Sequence, residues 1–285
     1  MEVLSETILK EVIIKRPQQS HKGTFGRTAL IGGNPRFGGA ILMAAQACVY
    51  AGAGLTTVIT HEKNHAPLHA RLPEAMVIDW QDMDMAAKIV QSSDAVLIGC
   101  GLGTEPESLR LLRFLLNTLS EKHILVVDGS AITLMAEPPL PIPFPRRTIF
   151  TPHEMEWQRL SGLKIEEQGI EKSAEKARQI GSIIVQKSHR TTIFTPQGHA
   201  FVLPLGTPAM ATGGMGDTLA GIVTAFAAQF KEDLVKSVCA AAYLHSYIAE
   251  KLAETRYVVL PTQIAEKIPE TMKRFERYEP VRTAD

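Results

Sequence analysis

Short apolar runs alternate with helical patterns along most of the chain. Runs rich in valine, isoleucine and leucine predict buried strands, and apolar residues that recur every three or four positions predict helices. Predicted strands cover residues 27–31, 55–60, 75–79, 95–100, 124–128, 148–150 and 182–186, with a hairpin-like pair at 192–195 and 200–203. Helices are predicted at 40–51, 83–91, 105–119, 231–254 and 261–278, with a helix or arm at the N-terminus. This order predicts a doubly wound, mostly parallel sheet with right-handed crossovers.

Ligands of such sheets gather at the carboxyl ends of the strands. We therefore expect ligands to bind at the loops after Gly33, Gly99, Asp128, Phe150 and Lys187. The loop at 99–104 is rich in glycine and could cradle a phosphate, but its spacing is not that of a dinucleotide fingerprint.

The most informative stretch is Gly213-Gly214-Met215-Gly216-Asp217, which precedes an apolar helical pattern. A bare backbone loop that enters a helix offers free N–H groups and a positive dipole end, and so predicts an anion site. A carboxylate there is repelled by phosphate, so Asp217 is better suited to contact a substrate hydroxyl, a metal or a proton in transfer. The alternative is that Asp217 only caps the helix.

Three further positions keep two interpretations each. Ala40 is a small residue at the point where a loop meets a helix, which would let a planar ligand lie against the backbone. The alternative is that this alanine only begins a stable helix. His153 follows a strand and precedes two acidic residues, where it could bind a polar substrate or cap the helix. Lys187 and Arg190 place two cations on one short loop, where a nucleotide phosphate could lie, or they form a charged turn without functional meaning.

Length, composition and charge limit the classes of protein to which this chain can belong. The 285 residues are 45% hydrophobic and no linker divides them, which favours one large α/β domain over residues 1–285. Thirty basic and thirty acidic residues cancel, and no basic stripe is interleaved with aromatics, so nucleic acid is not an expected partner. We expect no signal peptide and no membrane-spanning helix.

The three cysteines are far apart and lie in apolar runs. They predict reduced, buried thiols of a cytoplasmic protein, and neither disulfides nor a zinc site. No metal-ligand spacing is present in the sequence, and no metal-binding residue is predicted.

Several motifs in one order resemble the ADP/ATP-dependent NAD(P)H-hydrate dehydratases of the ribokinase-like superfamily, over residues 22–221. These are Lys22-Gly23-x-x-Gly26-Arg27, Ile31-Gly32-Gly33, Gly38-Gly39-Ala40, Ala51-Gly52-Ala53-Gly54-Leu55, Gly101-Leu102-Gly103, Val127-Asp128, Thr151-Pro152-His153-x-x-Glu156 and Gly213-Gly214-Met215-Gly216-Asp217-x-Leu219-Ala220-Gly221. The chain departs from many relatives at Cys100, Gly129 and Ser188, where they have proline, an acid or alanine, and glycine.

The resemblance implies a three-layer α/β/α fold of the ribokinase-like type with a mostly parallel central sheet. It implies that the S-epimer of NAD(P)H hydrate is dehydrated at the expense of ADP or ATP, with Mg²⁺, in nicotinamide nucleotide repair. The hydrated nucleotide would contact Ala40, Gly103, His153 and Asp217, and Asp217 would be the catalytic base. The donor would contact Lys187, Ser188, His189, Arg190, Thr191 and Gly216. The resemblance also implies a homotetramer and an NAD(P)H-hydrate epimerase on a separate chain.

Two other functions remain open at this point. A small-molecule kinase of the same fold would phosphorylate a vitamin or sugar hydroxyl, since fold alone does not fix function. A non-catalytic nucleotide sensor is the third possibility, but a carboxylate beside three glycines argues against it.

Overall fold

The computed structural model describes residues 1–277. Its sheet contains ten strands, Glu2–Val3 (β1), Arg27–Ile31 (β2), Leu55–Thr60 (β3), Met76–Asp79 (β4), Ala95–Ile98 (β5), Ile124–Val127 (β6), Thr148–Phe150 (β7), Ile183–Gln186 (β8), Thr192–Phe194 (β9) and Ala200–Val202 (β10). Their order across the sheet is β1-β10-β9-β8-β7-β6-β5-β2-β3-β4. From β4 to β8 all neighbours are parallel, and β9 is antiparallel to both β8 and β10.

The eleven α-helices in the described part of the chain cover both faces of the sheet. They are Thr7–Val12 (α1), Gly38–Tyr50 (α2), His65–Arg71 (α3), Met83–Ser92 (α4), Pro106–Thr118 (α5), Ser130–Ala136 (α6), Glu154–Ser161 (α7), Ile170–Ile180 (α8), Met215–Gln229 (α9), Leu234–Ala253 (α10) and Pro261–Phe275 (α11). Helix α10 is capped at its N-terminus by Asp233, whose side chain accepts a hydrogen bond from the Lys236 N–H at 3.0 Å. Such a cap satisfies one of the free N–H groups of a helix start.

The parallel strands are apolar on both sides because side chains alternate between two covered faces. In β2, Leu30 belongs to one hydrophobic cluster, and Ala29 and Ile31 belong to the other. The first cluster contains residues of α1, α2, α3, α9, α10 and α11, and the second contains residues of α4 to α8. The result is the predicted three-layer α/β/α architecture.

The strand order reverses between β2 and β5. Strand β2 is followed in the chain by β3 on one side, and β5 lies on its other side. The loops that leave β2 and β5 therefore separate at their carboxyl ends and open a crevice, which is where doubly wound folds bind ligands.

Most predicted elements are present, with ends that differ by a few residues. Three short helices, α3, α6 and α8, and the two-residue strand β1 were missed by the sequence patterns. Helix α11 ends at Phe275, before the predicted end at Tyr278, which lies outside the described residues. None of the helices in residues 1–277 has the length and apolar character that a membrane crossing requires.

Candidate functional site

Two helix N-termini point into the crevice at the carboxyl ends of the strands. Helices α2 and α9 pack side by side, and a Cβ atom on Gly221 of α9 would collide with the backbone of Ala44 in α2. At their other ends, Gln229 of α9 donates a hydrogen bond to the Ala51 carbonyl at 2.8 Å. The helices therefore run parallel, and the positive ends of both dipoles meet at the crevice. Such a place favours anions.

The loop between β2 and α2 forms one wall of the crevice. The Gly33 and Asn34 N–H groups donate to the carbonyls of Cys100 and Gly101 at 2.9 and 2.7 Å, which ties this loop to the loop after β5. The buried Asn34 side chain accepts hydrogen bonds from the N–H groups of Arg36 and Phe37, both at 2.9 Å. The loop is thus held in one shape by a buried amide.

The structure brings Ala40 and Gly103 to this same wall. A Cβ atom on Gly101, whose φ is +63°, would lie 3.0 Å from the Ala40 Cβ and would collide with the Phe37 carbonyl. A Cβ atom on Gly103, at φ +83°, would lie 2.5 Å from Asn34 Nδ2. Glycine is therefore required at both positions of this loop, and Ala40 faces it from the start of α2.

A buried charge cluster occupies the floor of the crevice. Lys187 Nζ lies 2.8 Å from Asp128 Oδ1 and 3.9 Å from Glu156 Oε2. Burial by itself would raise the pKa of Asp128, but the Lys187 ammonium and the hydrogen bonds from Lys187 and Thr151 hold it below its usual value. Burial raises the pKa of Glu156, against the opposing charge of Lys187. One ammonium thus serves two buried carboxylates.

Asp217 completes the cluster from the first turn of α9. Burial, and next the negative charge of Asp128, raise its pKa from 3.8 to about 6. The Cys100 thiol donates a hydrogen bond to Asp128 Oδ2 at 3.5 Å and lies within 4.8 Å of an Asp217 carboxylate oxygen. Burial, and next the negative charge of Asp217, raise the thiol pKa well above its usual value. A carboxylate with a pKa near neutrality can both hold and release a proton, as a general base must.

The alternative that Asp217 caps its helix does not fit its position. The residue at the cap is Gly214, at φ +97°, and Asp217 is the third residue inside α9. The carboxylate still lies beside the positive end of the helix dipole, which favours its ionised form. Capping by itself therefore does not explain why an acid stands here.

His153, by contrast, is the cap of α7. Its Nδ1 accepts hydrogen bonds from the N–H groups of Met155 and Glu156 at 3.1 and 3.3 Å. Glu156 accepts one from the His153 N–H at 2.9 Å, which closes a capping box. Of the two interpretations from the sequence, the structure gives the cap, while the half-exposed ring lies next to the charge cluster through Glu156.

A cavity of about 420 Å³ lies on the other side of Lys187 and Gly216. Five of the six predicted donor residues line it, namely Lys187, Ser188, His189, Thr191 and Gly216. Arg190 is exposed and does not line the cavity. The Lys187 amine packs against Gly216, since a Cβ atom at that position would lie 3.1 Å from Lys187 Nζ. It therefore separates the cavity from the acids.

Cys100, Asp128 and Asp217 could together approach a metal ion, since one ligand atom from each lies within 4.8 Å of the others. The two carboxylates are the oxygen donors that Mg²⁺ prefers, and one or two of them suffice where substrate phosphates supply the rest. The Cys100 thiol does not suit this ion, because Mg²⁺ takes oxygen ligands and burial keeps the thiol protonated. The donor set fits Mg²⁺ through Asp128 and Asp217.

Comparison with known proteins places this arrangement in a family. A sequence model described as NAD(P)H-hydrate dehydratase matches residues 28–270. The chain belongs to the NAD(P)H-hydrate dehydratase family. It is 50% identical over 273 residues to the ADP-dependent (S)-NAD(P)H-hydrate dehydratase of Lactococcus lactis, covering 96% of this chain and 98% of the relative.

Solved structures agree with the family assignment. A ribokinase-like superfamily protein of Enterococcus faecalis superposes with a TM-score of 0.94 at 49% identity, covering 96% of each chain. The ADP/ATP-dependent NAD(P)H-hydrate dehydratase of Bacillus subtilis, co-crystallised with ATP and Mg²⁺, gives a TM-score of 0.84 at 28% identity and covers 96% of this chain and 99% of its own.

Sequence reasoning about this dehydratase family member missed part of the site. Asp128 and Glu156 stand in the recognised motifs, but only the strand order places both beside Lys187. Their position at or just after strand ends is the signal that could have identified them. The metal-ligand grouping was missed as well, because its members are far apart in sequence.

Proposed function

We propose that the protein dehydrates the S-epimer of NAD(P)H hydrate to NAD(P)H, with ADP or ATP as phosphoryl donor. The observation that carries this is the position of Lys187 and the α9 N-terminus between the lined cavity and the acids. A nucleotide in the cavity would present its terminal phosphate to a hydroxyl held near Asp217. Hydroxide is a poor leaving group and phosphate a good one, so the donor makes the dehydration feasible.

In the first step Asp217 accepts the proton of the ring hydroxyl while the hydroxyl oxygen bonds to the terminal phosphorus of the donor. The bond from that phosphorus to its bridging oxygen breaks, and AMP leaves when ADP is the donor, or ADP when ATP is. In the second step the ring C–O bond breaks and carries its electron pair away with phosphate. The neighbouring ring carbon loses a proton to solvent, which restores the double bond of the dihydronicotinamide.

The protein contributes position and charge more than covalent chemistry, as is usual for phosphoryl transfer. The free N–H groups at the start of α9 face the transferred phosphoryl group, and Lys187 offsets its negative charge. The pKa of Asp217, raised to about 6, leaves the carboxylate mostly ionised at neutral pH and still basic enough to take a proton. Mg²⁺ would be held by Asp128 and the donor phosphates, where it would neutralise phosphate charge and leave the Asp217 carboxylate free to accept the proton.

The substrate would lie along the wall formed by Ala40, Gly101 and Gly103, across the N-terminus of α2. The dipole of this helix supports the pyrophosphate of a dinucleotide. We keep His153 as a substrate contact through the free face of its ring, since its Nδ1 already caps α7.

Purified protein, NADH hydrate and Mg²⁺, with ADP, ATP or no nucleotide, test the proposal. We expect reduced-nicotinamide absorbance to rise only with a donor, with one phosphate and one AMP or ADP released per NADH formed. The R-epimer serves as a control without turnover, and an Asp217→Asn variant serves as a control with strongly reduced turnover. A stable phosphorylated product with no phosphate release would instead indicate a small-molecule kinase.

Three wider features of the proposal have their own tests. A cytoplasmic location is supported by three buried, unpaired cysteines, which are typical of a reducing compartment. The homotetramer can be tested by light scattering on the purified protein. The separate epimerase predicts that this protein alone leaves the R-epimer unconsumed beyond its spontaneous epimerisation.

A further inference from the structure

The inner wall of the donor cavity is formed by helix α10. His245 and Ser246 both line the cavity, and they are only 4% and 7% exposed. Neither residue belongs to a glycine-rich or strand-end motif, and both lie in the buried middle part of α10, next to apolar residues such as Leu244 and Ile248. They are the polar residues that α10 contributes to the cavity.

The imidazole of His245 is incompletely satisfied. Its buried Nε2 has no hydrogen-bond partner among the described residues. An unpaired polar atom in a protein interior costs free energy, so such groups are usually paired with protein, water or ligand. Burial lowers the pKa of His245 to about 4, so the ring is neutral at physiological pH. A neutral imidazole offers one N–H donor and one acceptor nitrogen.

The cavity has a charged end and apolar walls, which match the phosphates and the base of a nucleotide. Lys187 and Gly216 lie at one end, next to the charge cluster, where phosphate groups would be held. The remaining walls carry the apolar side chains of Leu205, Met210 and Leu219. Apolar walls suit the faces of a heteroaromatic base, whereas its edge needs hydrogen-bonding partners.

We propose that His245 hydrogen-bonds to the base of the donor nucleotide and helps to select adenine. This inference rests on the proposed function insofar as the cavity holds the donor. Binding gives the ring the partner that it lacks, and a base with a different pattern of donors and acceptors on its edge leaves the histidine unpaired. Discrimination of this kind is stronger than discrimination by apolar shape alone.

Binding measurements on ADP alone, without hydrate, test the inference. We expect His245→Phe, which keeps a ring and removes the unpaired nitrogen, to weaken ADP binding about 3- to 10-fold in calorimetry, the usual value of one hydrogen bond. Inorganic pyrophosphate, which has no base, should bind the variant and the wild type equally. The preference for ADP over GDP should fall. Unchanged ADP affinity in a folded His245→Phe variant would overturn the inference.

A second measurement on the unmodified protein covers the case in which the variant does not fold. We expect the ¹⁵N resonances of the His245 ring to shift when ADP is added. His123 is a matched control, since its Nε2 is also buried and unpartnered but the residue does not line the cavity. Unmoved His245 resonances at saturating ADP would mean that another group satisfies Nε2, and the inference would fail.

These outcomes separate the inference from the proposed function. A wild-type protein that turns over NADH hydrate with ADP, together with a His245→Phe variant of unchanged KM for ADP, contradicts only the role of His245. A wild-type protein that binds ADP through His245 but does not dehydrate the hydrate contradicts only the proposed reaction.

Discussion

Lys187 Nζ lies 2.8 Å from Asp128 Oδ1, and the two side chains are only 19% and 5% exposed. Asp128 directly follows β6 and Lys187 directly follows β8, and the two residues are 59 positions apart in the chain. Glu156 and Asp217 add two more carboxylates to the same cluster. A single ammonium therefore faces three acids. Burial is the larger cause of the raised pKa values of Glu156 and Asp217, and the negative charge of Asp128 raises both further.

The first prediction concerns the stability of this pair. Lys187→Met should lower the free energy of unfolding by about 3–5 kcal/mol, because Asp128 is then buried without a counter-charge. Adding Asp128→Asn to Lys187→Met should restore part of the loss, since the uncompensated charge is removed. Urea unfolding of the two single variants and the double variant measures this coupling.

The exposed pair Lys236 and Glu11 is the control for that experiment. Its atoms lie 2.7 Å apart, but the side chains are 53% and 44% exposed. Lys236→Met should therefore cost no more than about 1 kcal/mol. If Lys187→Met proved no more costly than Lys236→Met, the buried pair would be a minor contributor to the fold. All variants with Lys187→Met should also bind the donor more weakly, whatever their stability.

The second prediction is the pH dependence of turnover. Asp217 must be ionised to accept a proton, and its pKa is raised to about 6. We expect kcat/KM for the hydrate to fall as pH drops below this value, with a limb near pH 6 instead of near 4. Asp128→Asn should move the limb to lower pH, because the charge of Asp128 is one cause of the raised pKa. A profile flat from pH 5 to 8 would exclude Asp217 as the base.

The third prediction separates catalysis from stability in Asp217→Asn. The folded-state pKa of Asp217 lies above its unfolded value, so the protonated form stabilises the fold and ionisation destabilises it as pH rises through about 6. Asn cannot ionise, so the variant should be more stable than the wild type at pH 8 by about 1–3 kcal/mol. Below pH 4 the difference should disappear.

Turnover of the same variant should fall by about 10² to 10⁴, the usual cost of losing a general base. Melting curves at both pH values and steady-state rates at pH 8 give the two readouts. A variant that is both less stable and fully active at pH 8 would show that Asp217 has only a structural role.

The fold was largely predictable because its signals are local. Two glycines follow strand β2 and mark the loop that leads to helix α2, so this strand–loop–helix unit could be predicted from neighbouring residues alone. The missed helices differ in their local signals. Helices α3 and α6 have only seven residues each, too few for a repeat to stand out. Helix α8 does carry apolar residues at helical spacing, at Ile170, Ala174, Ala177 and Ile180, and this signal was overlooked.

Site residues beside a glycine-rich motif could be predicted from the sequence. Contacts that depend on the order of the strands in the sheet could not. Ala40 and Asp217 stand beside glycine-rich loops and could be proposed from the sequence. The pairing of Lys187 with Asp128 needs the neighbouring positions of β6, β7 and β8, which only the folded chain supplies. His245 had no local signal, because it lies in the middle of a helix and belongs to no glycine-rich or strand-end motif.

The last prediction uses two glycines that the fold itself does not require. Gly39, in the first turn of α2, and Gly213, before α9, have ordinary φ values, and a Cβ atom on either would meet no atom of residues 1–277 within 4 Å. Alanine is the better helix former, so Gly39→Ala should be neutral or should stabilise the protein by up to about 1 kcal/mol. If the open space belongs to a ligand, each added methyl group will instead raise a Michaelis constant.

We expect Gly39→Ala to raise the KM for the hydrate, since Gly39 precedes Ala40 on the substrate wall. Gly213→Ala should weaken binding at the α9 N-terminus, where phosphate approaches the backbone. Gly169→Ala is the matched control, because Gly169 also has open space around its Cβ position and an ordinary φ, but it begins α8 away from the crevice. Steady-state kinetics with each substrate varied in turn will show whether the effects differ. Equal, small effects in all three variants would mean that no ligand approaches these glycines, and the substrate and donor positions proposed here would have to be revised.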